Sequence, residues 1–333
     1  MLRRDDALWE WSVFWQSDQL QSCMPTNNPD DPEQLFSTWR EFFGALPAGA
    51  SILDLGTGNG SVATQAVAVS QEKSRRFSIH GVDLAAIDPS RFVTSAADLL
   101  QEITFHPRTP MENLPFGDNH FDAVASQYAL EYSQTNSSLA EAIRVLHAPG
   151  RFRFLLHADD GVLKGRCELQ RRQAETILGS PLFACLRSAL ETIVAVEHRQ
   201  TPQTLANAEE SIEALKSVFD DLECEFSDSE NRSLVDNLFA AVRRLPGLRK
   251  SYDLKTLLVM ADDIRELLTA QAKRLQAMEQ AALDEDEAME LVERLHNIGV
   301  ADVKLERATV SDGKICIGYW LYGEKAADET QDC

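Results

Sequence analysis

The six cysteines of this 333-residue chain, at positions 23, 167, 185, 224, 316 and 333, include no C-x-x-C pair. Neither a disulfide framework nor a zinc site has that spacing, so a reduced, cytoplasmic protein without a bound metal is expected. Basic charge is scarce as well. Against 53 Asp and Glu stand 32 Lys and Arg, for a formal charge of −21. Such a surface opposes attraction to phosphate backbones and anionic membranes, which makes nucleic acid a poor partner. The acidity reads as a solvated helical surface. Long apolar runs are missing too: no window approaches the ~20 residues of a membrane span. The start, Met1-Leu2-Arg3-Arg4-Asp5-Asp6, has two basic residues with no apolar run behind them, so neither export nor membrane insertion is expected. There is no fixed-period repeat and no low-complexity tract.

Hydrophobic residues make up 44% of the chain, enough for a sizeable core in one α/β domain carrying an insertion. The chain is organised around Ser51-Ile52-Leu53-Asp54-Leu55-Gly56-Thr57-Gly58-Asn59-Gly60-Ser61-Val62-Ala63. A short apolar strand ends in an acid, turns on alternating glycines and opens a helix. Such a turn brings backbone close to a ligand, where a Cβ would collide. Two frames overlap here. Gly58-x-Gly60-x-x-Ala63 fits a dinucleotide fingerprint, and Asp54-x-Gly56-x-Gly58-x-Gly60 suits another adenosine-bearing cofactor.

Upstream, residues 7 to 46 carry Trp9, Trp11, Phe14, Trp15, Phe36, Trp39, Phe42 and Phe43 in two clusters around a turn-rich Pro25 to Pro32. They read as two short helices that pack on the sheet edge or act as a lid. Downstream, Arg76 to Asp83 reads as a second strand whose terminal acid stands near the ~20-residue distance at which an acid meets ribose hydroxyls. Asp88-Pro89 starts a helix expected to run to about Leu100. Ile103 to His106 is a third strand, Phe121 to Ser126 a fourth and Phe152 to Leu156 a fifth.

The frame beginning at Asp54, the Leu114-Pro115-Phe116 loop followed by Phe121-Asp122-Ala123-Val124, and Arg144-Val145-Leu146 before Pro149-Gly150 together resemble the class I S-adenosylmethionine-dependent methyltransferases. Dehydrogenases have no counterpart of the Leu-Pro-Phe loop. The resemblance implies a Rossmann-like, seven-stranded, mostly parallel sheet with a terminal antiparallel hairpin, and S-adenosylmethionine as cofactor. It assigns Asp54, Gly56, Thr57, Gly58, Asn59, Gly60, Asp83, Leu84, Met111, Glu112 and Gln127 to cofactor binding. The methionine end lies on the glycine turn, the ribose on Asp83, and the adenine near Met111 and Leu114. Pro110 stands where the family usually places an acid, and Glu112 or Thr109 is expected to take that contact.

For the methyl acceptor, Tyr128, Glu131 and His157 lie at the carboxyl edge of the sheet, where open α/β sheets bind ligands. A histidine there is a candidate general base because its ordinary pKa of ~6.5 leaves it largely neutral at physiological pH. Residues 161 to 283 read as a helical insertion, serving as an acceptor-site cap or as a homodimer interface, with Leu267, Leu268, Ala272, Leu275 and Met278 forming one apolar stripe on its last helix. A helix over 288–298 and strands over 303–310 and 314–322, joined by Ser311-Asp312-Gly313, complete the sheet, and 326–333 reads as a mobile tail. Methyl transfer to an O, N or C nucleophile of a small-molecule acceptor is the expected function. A protein or peptide methyltransferase is the nearest alternative, then a non-catalytic cofactor-binding interaction protein, with a dehydrogenase last.

Overall fold

The computed structural model describes residues 8–23 and 31–326. The segment before Leu8, the turn-rich stretch at 24–30 and all of the expected tail except Ala326 lie outside the described residues. The chain divides into two compact units, one running to Gly165 and resuming at Ala277, the other Arg166–Gln276.

The first unit holds a seven-stranded sheet. Its strands are β1 (Ser51–Leu55), β2 (Ser78–Asp83), β3 (Ile103–Pro107), β4 (Phe121–Gln127), β5 (Leu146–Leu156), β6 (Asp302–Val310) and β7 (Ile315–Lys325), in the order β3-β2-β1-β4-β5-β7-β6. The first five are parallel, and β7 inserts antiparallel between β5 and β6. Strands buried on both faces must be apolar throughout, and Ile52, Leu53, Leu55, Ala123, Val124, Ala125, Phe154 and Leu155 are all fully buried. Strand order reverses between β1 and β4. In an open α/β sheet that switch point leaves a crevice at the strands' carboxyl ends.

Two of the sequence motifs have structural explanations. The carboxylate of Asp122 accepts the backbone N–H of Ser51 at 2.8 Å, fixing β1 against β4 while Phe121 fills the core. In α6 (Thr135–Val145), Arg144 donates to Glu141, to Asp118 and to the carbonyls of Phe116 and Leu114. Glu141 in turn accepts the N–H of Leu114 at 2.7 Å. This clamp gives the Leu-Pro-Phe loop one conformation and so positions Met111 and Glu112 just before it.

Helices α1 (Trp9–Phe14) and α2 (Asp31–Gly44) precede β1, and α3 (Ser61–Glu72) follows the glycine turn. The single helix expected over 88–100 is two four-residue pieces, α4 (Pro89–Phe92) and α5 (Ala97–Leu100). Val93 is extended, and Thr94 gives both its N–H and its hydroxyl to Asp18, so a side chain captures the backbone that would have continued the helix. β5 begins six residues earlier than expected, because Leu146 pairs with Phe121 ahead of a register shift and Lys325 Nζ holds the Leu146 carbonyl.

Between the strands run α7 (Val162–Gly179), α8 (Leu182–His198), α9 (Pro202–Glu225), α10 (Ser233–Arg244) and α11 (Leu254–Ala281), and α12 (Glu285–Asn297) returns the chain to the sheet. The second unit has its own core, in which Leu186, Leu190, Phe219, Phe239 and Leu257 are buried together. On α11 the spacing 268, 272, 275, 278 is buried, whereas Leu267, expected on the same stripe, is 56% exposed. One residue's step around a helix is enough to leave the buried arc. Among the described residues no single helix is long and apolar enough to cross a membrane; α7 and α8 reach that measure only as a pair bent by 48°.

Phe154 sits at the centre of the sheet with no exposure. Phe154→Ala should lower unfolding free energy by about 3–5 kcal/mol, read from urea unfolding followed by tryptophan fluorescence; a loss under 1 kcal/mol would mean that β5 is not part of the close-packed core.

Candidate functional site

Beyond β1 the backbone turns on Gly56, Gly58 and Gly60, at φ +64°, +51° and +90°. Left-handed backbone is accessible to glycine at little cost. Space enforces the residue type as well. A Cβ on Gly56 would lie 2.2 Å from the Ala129 Cβ and 3.6 Å from the Met111 Cε, and one on Gly58 would lie 2.3 Å from the Trp15 ring.

Two buried carboxyls tie the turn to the strands. Asp54 accepts the Thr57 hydroxyl at 2.7 Å, and burial pushes its pKa up to about 7 against the opposing hydrogen bonds of Thr57 and the Ala63 N–H. Asp83, at the end of β2, accepts the N–H of Gly58 at 2.8 Å through one oxygen and that of Ala85 at 2.7 Å through the other. Burial raises Asp83 to about 6, those two hydrogen bonds holding it lower than burial alone would. Each carboxylate oxygen carries more than one acceptor position, so Asp83 can also receive hydroxyls.

The crevice predicted by the strand order is present as a cleft that opens to solvent, at the strand ends where open α/β sheets bind ligands. Of the residues read from sequence as cofactor contacts, Asp54, Gly56, Thr57, Asp83, Leu84, Met111, Glu112 and Gln127 line it, as does Thr109. Gly58, Asn59 and Gly60 stand behind its wall. The Asn59 amide donates to the carbonyls of Trp15, Ser17 and Gln19 at 3.2, 3.4 and 2.8 Å. Gln127 accepts the Trp39 indole N–H at 2.7 Å, which leaves its amide N–H groups for the cleft.

The segment 8–23 lies against the turn, and although its aromatic helix and Ser22-Cys23 loop are a candidate lid in the sequence, none of its residues is among the expected cofactor contacts. Leu8, Trp11, Trp15, Leu20, Gln21 and Ser22 all line the cleft. The closely spaced tryptophans were the available signal, since such aromatics serve equally as core or cover. Among the described residues that line the cleft, the charged groups are all acids: Asp54, Asp83 and Glu112.

The acceptor-side candidates separate. Tyr128 lines the cleft, but its hydroxyl donates to the Ile317 carbonyl at 3.0 Å and its backbone is left-handed at φ +54°, a strained state for a bulky residue. His157 and Glu131 are buried behind it. The His157 ring stacks on Tyr128 with centroids 4.2 Å apart. Its Nδ1–H donates to Glu131 Oε1 at 2.7 Å, and its backbone N–H donates to the same oxygen at 2.9 Å.

Burial presses the His157 imidazole down, but hydrogen bonds to Cys23 and Glu131 and the Glu131 charge overcome it and raise the group to about 9. A base must be deprotonated to act, and His157 holds its proton through the neutral range.

Residues 52–150 match the family model of a methyltransferase domain. This stretch resembles a methyltransferase domain. A search of curated proteins finds no match. Among solved structures, a Methanococcus maripaludis protein named for S-adenosyl-L-methionine-dependent methyl transfer overlaps 93% of this chain and 100% of its own, at 12% identity and a TM-score of 0.41. An Aquifex aeolicus SAM-dependent methyltransferase overlaps 40% of this chain and 70% of its own, at 18% identity and 0.32. Geranyl diphosphate C-methyltransferase from Streptomyces coelicolor overlaps 45% and 64%, at 17% identity and 0.33. Against several other solved methyltransferases the chain spans 45% to 61% of their length.

The cofactor of this family is S-adenosylmethionine, and the cleft of the methyltransferase domain suits it on three structural grounds. Gly56 presents bare backbone where a side chain would strike the far wall. Asp83 has acceptor capacity left for paired hydroxyls. Acids alone among the charged lining residues suit a ligand that carries a sulfonium and an ammonium group.

Two outcomes follow. Gly58→Ala should destabilise the methyltransferase domain by roughly 1–3 kcal/mol, from left-handed strain and overpacking, measurable by urea unfolding; a neutral result would mean that Trp15 does not pack on the turn. For His157 the folded value of about 9 lies above its ordinary 6.5, so its contribution is complete below pH 6.5 and is lost as pH rises through 9. It amounts to roughly 3 kcal/mol at most. Stability of the native chain should therefore fall across pH 6.5–9, and His157→Asn should flatten that slope.

Proposed function

We propose that the chain is an S-adenosylmethionine-dependent methyltransferase acting on an oxygen, nitrogen or carbon nucleophile of a small-molecule acceptor. The observation that carries this reading is the charge of the cleft at the β1/β4 switch point. Asp83 and Glu112 supply negative charge, Asp54, raised to about 7, adds part of one at neutral pH, and no described lining residue is a Lys, Arg or His. A dinucleotide would bring a pyrophosphate into that field, where like charge repels it. A cationic cofactor gains from the same field. The covering segment 8–23 supports a small acceptor over a protein chain, because Trp11, Trp15 and Ser22 enclose the space next to the turn.

When bound, S-adenosylmethionine supplies a methyl group on a positively charged sulfur. What remains for the protein is alignment and exclusion of water, and good positioning is worth up to ~7–11 kcal/mol. Asp83 receives the ribose hydroxyls while its bonds to Gly58 and Ala85 hold it still. Met111 and Glu112 border the base, braced by the Arg144–Glu141 clamp on the following loop. Gly56, Thr57 and Gln127 border the methionine end. On the acceptor side Tyr128 offers its ring, its hydroxyl being engaged with Ile317, and Tyr132 and Ser133 complete that wall. His157 and Glu131 support Tyr128 from behind. Acceptors that lose their proton early therefore rely on solvent or on the substrate's own acidity.

Titration calorimetry tests the reading. S-adenosylmethionine and S-adenosylhomocysteine should bind and NAD should not; binding of NAD alone would overturn it. Asp83→Asn should weaken S-adenosylmethionine at least tenfold. Because Asp83 is raised to about 6, the carboxylate is neutralised below that pH, and wild-type affinity should rise from pH 5 to pH 8 while that of Asp83→Asn stays flatter.

A further inference from the structure

The covering segment is fastened at two sides of the cleft. On the β2 side Ser12 Oγ accepts the Ala86 N–H at 3.0 Å, Asp18 takes Thr94, and Asn59 holds three carbonyls. On the opposite side, past β4, Cys23 Sγ lies 3.7 Å from Nε2 of His157, the residue that follows β5. Ser22 and Gln21, next to Cys23, line the cleft, and Ser22 Oγ lies 3.4 Å from the Cys23 sulfur. The segment thus crosses the carboxyl ends of β1 and β4, and His157 holds its far end.

The array behind that contact is polar and almost wholly buried. Cys23 is 4% exposed, His157 2% and Glu131 8%. Glu131 Oε1 takes the backbone N–H and the Nδ1–H of His157, and among the described residues Glu131 Oε2 has no hydrogen-bond partner. A buried carboxylate bound through one oxygen only is stabilised chiefly by the positive imidazolium beside it. That imidazolium's remaining N–H then points a charge-assisted bond at sulfur.

We propose that Cys23, His157 and Glu131 form a latch that holds Gln21 and Ser22 in the cleft wall, so that cofactor affinity depends on the hydrogen bond from His157 to Cys23. Glu131 and His157 are positioning residues in this scheme, acting through Cys23 on groups that face the ligand. The groups facing His157 are Glu131, the Cys23 thiol, and the rings of Tyr128 and Tyr132. Glu131 favours the charged imidazole, and the thiol receives its bond. Loss of the His157 proton removes the charge from that bond. The latch is therefore closed at neutral pH and weakens as pH passes about 9.

The inference rests on the methyltransferase reading for the identity of the ligand, and the test separates the two. S-adenosylhomocysteine affinity is measured by calorimetry at pH 7.5 and 9.5 in wild type, His157→Asn, Cys23→Ser and Cys23→Val. At pH 7.5, His157→Asn and Cys23→Val should each bind at least fivefold more weakly than wild type, while Cys23→Ser, which keeps an acceptor, stays within twofold. Raising the pH should weaken wild type more than His157→Asn, whose residual change belongs to the ligand's own amino group. Amide hydrogen exchange of the ligand-free chain is the second measurement: residues 8–23 should exchange at least tenfold faster in Cys23→Val than in Cys23→Ser, after correction for intrinsic rates. Equal affinity and equal exchange in the two cysteine variants would overturn the latch. If wild type binds no S-adenosylhomocysteine, the methyltransferase reading fails, and exchange alone still decides whether the latch exists.

Discussion

One hydrogen bond organises this site: the N–H of Gly58 on the carboxylate of Asp83. It joins the loop after β1 to the end of β2, so the turn is built from two strands at once. With the Ala85 N–H on its second oxygen, Asp83 is fixed in place before any ligand arrives. Burial against those bonds still raises its pKa, as it does that of Asp54 nearby. Two acids held in a dry place gain most when a positively charged or hydroxyl-rich partner joins them. The rest of the cleft, from the bare backbone at Gly56 to the clamped loop beyond β3, arranges surfaces around that partner.

The parts of the fold that follow from short-range chemistry were readable in the sequence. β1, the glycine turn, β2 ending at Asp83 and the Asp-Gly hairpin between β6 and β7 each carry their own local signal. Where the reading departed from the structure, a distant residue intervened. Asp18 captures Thr94 and divides one expected helix into two. Phe121 and Lys325 draw Leu146 into β5, and the packing of α11 admits Leu268 while leaving Leu267 in solvent. None of these partners is near in sequence, and no periodicity announces them.

The site divides in the same way. Residues on the strand ends were legible because strand order determines where they go, and eight of the eleven expected cofactor contacts line the cleft. Asn59 and Gly58, expected as ligand contacts, also hold the segment that contains Trp15, which no local signal announces. His157 looked like a free base at a strand's end, and the buried carboxylate of Glu131, 26 positions away, gives it a different charge and a different neighbour. A histidine's position can be read from a chain; its proton depends on what lies across the fold.

The place of β7 has a consequence for how the molecule comes into being. β5 ends at Leu156, and its partner on the outer side is a strand that begins at Ile315, after the whole helical unit. During synthesis β5 is thus the open edge of a five-stranded parallel sheet, with unpaired backbone groups able to join another chain, until the last strands emerge. Contacts so distant in sequence form slowly, and the helical unit, with a core of its own, has time to condense first. A truncated or prematurely released product would carry a nearly complete cofactor cleft beside an adhesive border. Closing that border is the task of the final hairpin.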